Sequence, residues 1–129
     1  MWGVATDDSH HYDDAAAVLA RGEEAYVGDR GFVMVRAERS EAAIRAAIER
    51  GEFYASSGVI LESLTRSGGT LALRVAGVHE IRFIGEGGRE LGRERGVAAS
   101  YTLRPGDRYV RAVVTAADGR RAWTQPLWP

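Results

Sequence analysis

The sequence predicts an α+β protein in which a mixed helix-and-strand region is followed by an all-β region. Through residue 58, helical spacing of apolar side chains alternates with short apolar runs of strand length. From about residue 60 the apolar period becomes two, and glycine-containing turns separate the runs. We therefore divide the chain into a first region, residues 1–58, and a second region, residues 59–129. We expect the second region to be a small immunoglobulin-like antiparallel β-sandwich.

The first region is predicted to form a short buried strand, a helix, an apolar strand and a second helix. These elements span Trp2–Thr6, Ala15–Arg21, Gly31–Ala37 and Ser40–Arg50. The second helix has the clearest limits, because Ser40 is a favourable N-cap and Gly51 follows the last turn. Ile44 and Ile48 lie one turn apart with Ala47 beside them, so we expect this isoleucine stripe to pack the helix against the core.

The second region is predicted to consist of short strands with alternating apolar side chains. They span residues 60–65, 70–75, 80–84, 99–103, 109–115 and 122–125. The dipeptide Asp118-Gly119 between the last two strands is typical of a tight hairpin. Strands of this length and spacing favour a sandwich over a helical fold.

Composition excludes several kinds of chemistry. The chain has 129 residues and no cysteine, which excludes a disulfide scaffold, a thiolate metal site and a thiol nucleophile. All 17 cationic residues are arginine, so Schiff-base chemistry is excluded as well. The net charge of −1 does not indicate nucleic-acid binding. Without a long apolar run or a signal peptide, we expect no membrane association and a cytoplasmic location. The single glutamine is Gln125.

The only concentrated group of chemically active side chains lies at Asp7–Tyr12. Asp8 and His10 are two residues apart after a predicted strand, so a carboxylate and an imidazole can face one cleft. Oxygen and nitrogen donors of this kind suit a divalent metal. Asp7 and His11 could orient these two ligands by hydrogen bonds. The alternative is a solvated polar turn, because Asp-x-His also arises by chance.

A second candidate is the loop Ser56-Ser57-Gly58, which could offer hydroxyls and backbone amides to an oxyanion. The alternative is a glycine turn between two strands. A serine nucleophile would need a base, and only His10 and His11 are available in this region. His79 stands alone in the second region and is interpreted as a strand-edge residue.

Four segments, in this order, resemble the C-terminal part of PHP-domain metal-dependent phosphoesterases, the polymerase and histidinol phosphatase superfamily. They are residues 3–12, 31–37, 46–51 and 53–58. Two later segments, residues 108–114 and 118–126, are similar to the β-rich accessory domain that ends one branch of the family. The resemblance covers most of the chain, and its most specific element is the order of the motifs.

The resemblance implies that residues 1–58 are the remnant of a β/α barrel and that residues 59–129 are the accessory domain. The family's last metal motif, Asp-x-His, falls on Asp8 and His10. This implies a divalent metal (Zn, Mn or Fe) and a phosphate-ester substrate that metal-activated water hydrolyses. The family's earlier motifs, beginning with His-x-His, are absent from the sequence. The catalytic site is thus incomplete, and we expect the chain to be an inactive C-terminal fragment.

Two alternatives to an isolated catalytic fragment stay open. The chain could be a non-catalytic β-sandwich that binds a ligand or another protein. It could also form a homodimer, because the orphan strand Trp2–Thr6 or the strand at residues 31–37 offers an unpaired edge.

Overall fold

The computed structural model describes residues 1–129 and contains one antiparallel sheet of seven strands, with two short α-helices. The strands are β1 Phe32–Val35, β2 Phe53–Ser56, β3 Leu61–Ser67, β4 Thr70–Ile84, β5 Glu90–Thr102, β6 Arg111–Thr115 and β7 Arg121–Thr124. The helices are α1 Ala15–Ala20 and α2 Glu41–Glu49. Strand residues make up 42% of the chain and helical residues 14%, so the fold is mostly β rather than evenly mixed.

Strand β4 organises the sheet because it changes partner along its length. Its first half pairs with β3 and its second half with β6, while β5 follows it on the other side. The register with β5 shifts between Arg74 and His79, where Gly77 has a φ of +76°. An irregularity of this kind bends and twists a strand. The strands predicted at residues 70–75 and 80–84 are therefore one bent strand, and the sheet curls.

The core lies inside the curl. A cluster of 13 buried side chains includes Leu71, Leu73 and Phe83 from β4 and its neighbours from β3, β5, β6 and β7. Fully burying an aliphatic or aromatic side chain contributes about 1.5–3 kcal/mol, so this cluster is the main source of stability. Tyr54 is the only member that precedes residue 59.

The sheet crosses the predicted boundary between residues 58 and 59. Strand β2 of the first region pairs with β7 of the second, with Ala55 opposite Trp123. The hairpin predicted at Asp118-Gly119 is confirmed, since Gly119 has a φ of +87° and joins β6 to β7. The two regions therefore share one sheet. The boundary between residues 58 and 59 stays a prediction.

Helix α2 has the predicted limits but not the predicted packing. Ser40 caps it by accepting a hydrogen bond from the amide of Ala43 at 3.2 Å. Ile44 and Ile48, however, are each 40% exposed, whereas Ala47 is fully buried. The expectation that the isoleucines pack this helix is wrong, because α2 contacts the rest of the molecule through a small side chain instead.

The expected strand at Trp2–Thr6 is also wrong. None of these residues forms a backbone–backbone hydrogen bond, so no neighbouring strand completes a ladder with them. We call residues 1–12, which have no regular secondary structure, the N-terminal segment. Because residues 2–6 form no strand, they offer no strand edge for the expected homodimer. Pairing through the edge strand β1 stays a prediction.

Candidate functional site

The turn that carries the candidate ligands is fixed first by Asp7. Its Oδ1 accepts hydrogen bonds from the amides of Arg30 at 2.7 Å and Gly31 at 2.8 Å, just before β1. These bonds, that from Gly31 above all, lower the pKa of Asp7 below its ordinary value. Gly31 also lies against the backbone of Thr6, where a Cβ atom would not fit. Asp7 therefore anchors the segment rather than bonding to the candidate ligands.

Asp8 and His10 are brought together by a tight turn. Asp8 adopts a left-handed conformation with a φ of +54°, which aspartate tolerates better than most residues. The backbone carbonyl of Asp8 lies 2.6 Å from Nδ1 of His10. A carbonyl only accepts, so this contact suits a neutral His10 that donates from Nδ1. That tautomer has a free Nε2 lone pair, which is the arrangement that metal-binding histidines use.

His11 is held in the opposite tautomer. Its Nδ1 accepts a hydrogen bond from the amide of Tyr26 at 3.0 Å, so this nitrogen has no proton of its own. The carbonyl of Tyr26 in turn accepts from the amides of His10 and His11, at 3.0 and 3.1 Å. The His10 and His11 ring centroids are 4.2 Å apart, and the Arg30 guanidinium lies 3.8 Å from the centre of the Tyr26 ring. His11 thus fixes the backbone beside His10.

The donor types fit a divalent metal, but their number does not complete a site. Asp8 and His10 are exposed and adjacent, yet no group of three His, Cys, Asp or Glu side chains in the chain could surround one ion. A protein metal site usually has three or more protein ligands. His79 makes the same bond as His10, from Nδ1 to the carbonyl of Gly77 at 3.0 Å, but without a carboxylate two residues earlier.

The Ser56-Ser57-Gly58 loop uses its polar groups internally. The Ser56 hydroxyl donates to the carbonyl of Val59 at 2.7 Å and accepts from the amide of Gly58 at 2.9 Å. The Ser57 amide donates to the carbonyl of Arg121, whose own amide donates to the Ser57 hydroxyl at 3.0 Å. This geometry fits the alternative interpretation, a turn that joins β2 to β3. Neither serine bonds to a histidine.

Sequence reasoning missed the residues that attach the N-terminal segment to the C-terminal end of the chain. Gly3 exchanges two hydrogen bonds with the side chain of Gln125. The indole of Trp2 donates to the carbonyl of Glu49 at 3.1 Å and packs 5.3 Å from the ring of Trp128. No local pattern can pair Gly3 with Gln125 across 122 positions.

A large groove lies elsewhere in the molecule. It has a volume of about 990 Å³ and lies between the β1–β2 pair and β3, and none of the predicted site residues lines it. The guanidinium of Arg66 reaches into this groove and donates to the carbonyl of Gly51. Burial lowers the pKa of Arg66.

Comparisons with family models, curated proteins and solved structures gave no significant match to this chain. Neither helix has the length and apolar character that crossing a lipid bilayer requires.

Proposed function

We propose that this chain is the C-terminal segment of a PHP-type metal-dependent phosphoesterase. In this proposal, Asp8 and His10 supply two ligands to a divalent metal centre, and the other ligands come from outside these residues. The finer architecture belongs to the same proposal: residues 1–58 are a barrel remnant and residues 59–129 are an immunoglobulin-like accessory domain. When bound, the metal (Zn, Mn or Fe) would neutralise phosphate oxygens and activate water.

The proposal rests on the contact between the ring of His10 and the backbone of Asp8, which places an imidazole and a carboxylate-bearing residue on one turn. A neutral His10 that donates from Nδ1 to this carbonyl keeps a free Nε2 lone pair for a metal. His79 makes the same contact but lacks the carboxylate two residues earlier. The donor pair has the composition that zinc, manganese and iron accept in proteins.

The distribution of apolar surface supports the fragment interpretation. Of the twelve large apolar side chains that are exposed, eight precede residue 59. They are Met1, Val4, Tyr12, Leu19, Val27, Met34, Ile44 and Ile48. Apolar side chains that one part of a protein leaves exposed can be covered by another part. A missing barrel would bury such residues.

The chain's own residues then have separate tasks. Asp7 and the Tyr26 backbone hold the turn at its two ends. The left-handed conformation of Asp8 directs its carbonyl to His10, which orients the imidazole. These contacts order the backbone of the turn and the ring of His10 before a metal binds, so binding loses less conformational entropy.

The test is a phosphatase assay on two proteins. The 129-residue chain, supplied with Zn²⁺, Mn²⁺ or Fe²⁺, should not hydrolyse p-nitrophenyl phosphate. The reading frame can be extended upstream by about one barrel, roughly 150–250 residues. The protein expressed from it should hydrolyse p-nitrophenyl phosphate. In that protein, His10→Gln should abolish turnover while His79→Gln should not. Metal-dependent turnover by the 129-residue chain, or an active extended protein indifferent to His10→Gln, would contradict the proposal.

A second candidate function is a non-catalytic binding module, and the groove beside β3 favours it. Its walls combine apolar side chains such as Met34 and Leu64 with charged ones such as Glu52. This mixture is typical of sites that bind a ligand or a peptide. An extended reading frame without an upstream His-x-His would favour the module over the enzyme.

A further inference from the structure

We infer that Gln125 is a positioning residue. Its side-chain amide binds the N-terminal segment, which carries Asp8 and His10, and holds that segment at the end of β7. The link to a metal rests on the proposed function. The positioning itself is a property of this chain and is tested without a metal.

The side chain of Gln125 takes the place of a neighbouring strand. Its Oε1 accepts from the amide of Gly3 at 2.8 Å, and its Nε2 donates to the carbonyl of Gly3 at 2.6 Å. One residue therefore has both of its backbone groups satisfied by one amide. Residues 2–6 have no backbone–backbone hydrogen bond, so this pair replaces the missing ladder.

The Gln125 side chain is held in place because it is buried at the end of the sheet. Gln125 is only 1% exposed and directly follows β7. The preceding residue, Thr124, is held in the sheet by the amide of Ala112, which donates to its hydroxyl at 2.8 Å. An apolar side chain would fill the same buried space without the cost of desolvating an amide. Gln125 is therefore better explained by its contacts with Gly3 than by core packing.

Trp2 adds a second contact at the same place. Its ring lies so close to Gly51 that a Cβ atom there would overlap it. Glycine also suits the φ of +70° at this position. The Trp2 ring thus sits between the end of α2 and Trp128, next to the Gly3–Gln125 pair.

Fixing Gly3 restricts the ligand turn. Only three residues separate Gly3 from Asp7, so their Cα atoms lie at most about 14 Å apart. Asp7 is bound at the start of β1 and His10 at Tyr26. The segment is thus held at Asp7, at His10 and at its N-terminal end, where Gln125 makes the only hydrogen bonds that tie it to the second region.

The experiment is residue-resolved hydrogen exchange of the full chain, without metal, in three proteins. Gln125→Met removes both hydrogen bonds at nearly constant volume. Thr124→Val is the matched control, because it removes a buried hydrogen bond of the neighbouring residue without contacting Gly3. In Gln125→Met, exchange at Gly3 should accelerate about tenfold, which corresponds to a loss of about 1.4 kcal/mol of protection. Exchange at His10 and His11 should also accelerate, whereas in Thr124→Val all three should keep their protection relative to the sheet.

A third variant covers the case in which Gln125→Met does not fold. In Gln125→Glu, the protonated carboxyl can replace both hydrogen bonds, whereas the ionised carboxylate still accepts from the Gly3 amide but can no longer donate to the Gly3 carbonyl. Protection of Gly3, measured relative to the sheet amides, should therefore be strongest at acid pH and weaken as the pH rises. A residue serving only as core filler would change Gly3 and the sheet together.

The inference is overturned if Gly3 keeps its protection in Gln125→Met, or if Gly3 is released while His10 and His11 are unchanged. Neither result depends on metal. The proposed function fails separately, in the phosphatase assay, so the two failures are distinguishable.

Discussion

The two regions of this molecule are stabilised in different ways. The second region supplies twelve of the thirteen side chains of the buried cluster. The first region holds all the candidate ligands but buries few large side chains outside β2, and it is attached mainly by hydrogen bonds from side chains to backbone groups. The candidate site therefore lies in the first region, which is attached to the sheet mainly by hydrogen bonds. The hydrophobic core lies in the second region.

The sheet that the two regions share supports the segment that carries the candidate site. Strand β2 joins the regions through β7, and Gln125 continues from β7 to Gly3. Packing gives the second region cooperative stability, whereas the docked segment can open locally at a lower free energy. We therefore compare a buried and an exposed isoleucine, and then two carboxyls, across the two regions.

The largest difference is expected between two isoleucines. Ile81 is fully buried in β4, and Ile48 is 40% exposed on α2. Ile81→Ala should lower the free energy of unfolding by about 2–5 kcal/mol, because it leaves a cavity. Ile48→Ala should change it by less than about 1 kcal/mol, because little buried surface is lost and alanine favours the helix. Urea denaturation measures both. Equal losses would mean that the exposed face of α2 is covered in solution.

A smaller effect is expected from acid. The amides of Gly31 and Arg30 lower the pKa of Asp7 in the first region. In the second, the amide of Arg104 and the hydroxyl of Tyr101 lower the pKa of Asp107. A carboxyl whose folded pKa is lowered contributes stability that is present above its unfolded pKa and is lost as the pH falls through the folded pKa. Thermal stability should thus fall below about pH 4.

Replacing the two carboxyls should have different effects on the melting temperature and on local hydrogen exchange. Asp107→Asn should reduce the acid sensitivity of the melting temperature, because Asp107 holds a turn of the packed region. Asp7→Asn should leave the melting temperature nearly unchanged and instead accelerate exchange at the Arg30 and Gly31 amides. Circular dichroism and hydrogen exchange separate these outcomes, and identical pH profiles for the two variants would remove the distinction between docked and packed regions.

The smallest effect is expected at exposed ion pairs. Glu41 and Arg45 lie one turn apart on α2, with 88% and 70% of their side chains exposed. Arg45→Gln should change the free energy of unfolding by less than about 0.5 kcal/mol, because water and salt screen the pair. A larger loss in urea denaturation would show that this face of the first region contributes more than its exposure indicates.

Local signals in the sequence predicted local structure well. The cap at Ser40, the glycine after α2 and the turn at Gly119 are each decided by neighbouring residues, and all three are confirmed. Such features depend on a few adjacent positions, so one sequence suffices to find them.

Features set by distant contacts could not be predicted. An apolar run at Trp2–Thr6 is compatible with a strand, but a strand needs a neighbour, and here a glutamine side chain replaces it. The spacing of Ile44 and Ile48 indicates an apolar stripe without saying what covers it. Whether Ala47 or the isoleucines face the sheet is decided by how the helix docks.

The most direct test of the account is a Zn²⁺ titration of the full ¹⁵N-labelled chain followed by NMR. His10 and His79 both direct Nδ1 to the carbonyl two residues earlier, but only His10 has a carboxylate at that earlier position. We expect weak binding that shifts the signals of Asp8 and His10, disappears in His10→Gln and persists in His79→Gln. Binding that centres on His79, or no perturbation of Asp8 and His10 at any Zn²⁺ concentration, would contradict it.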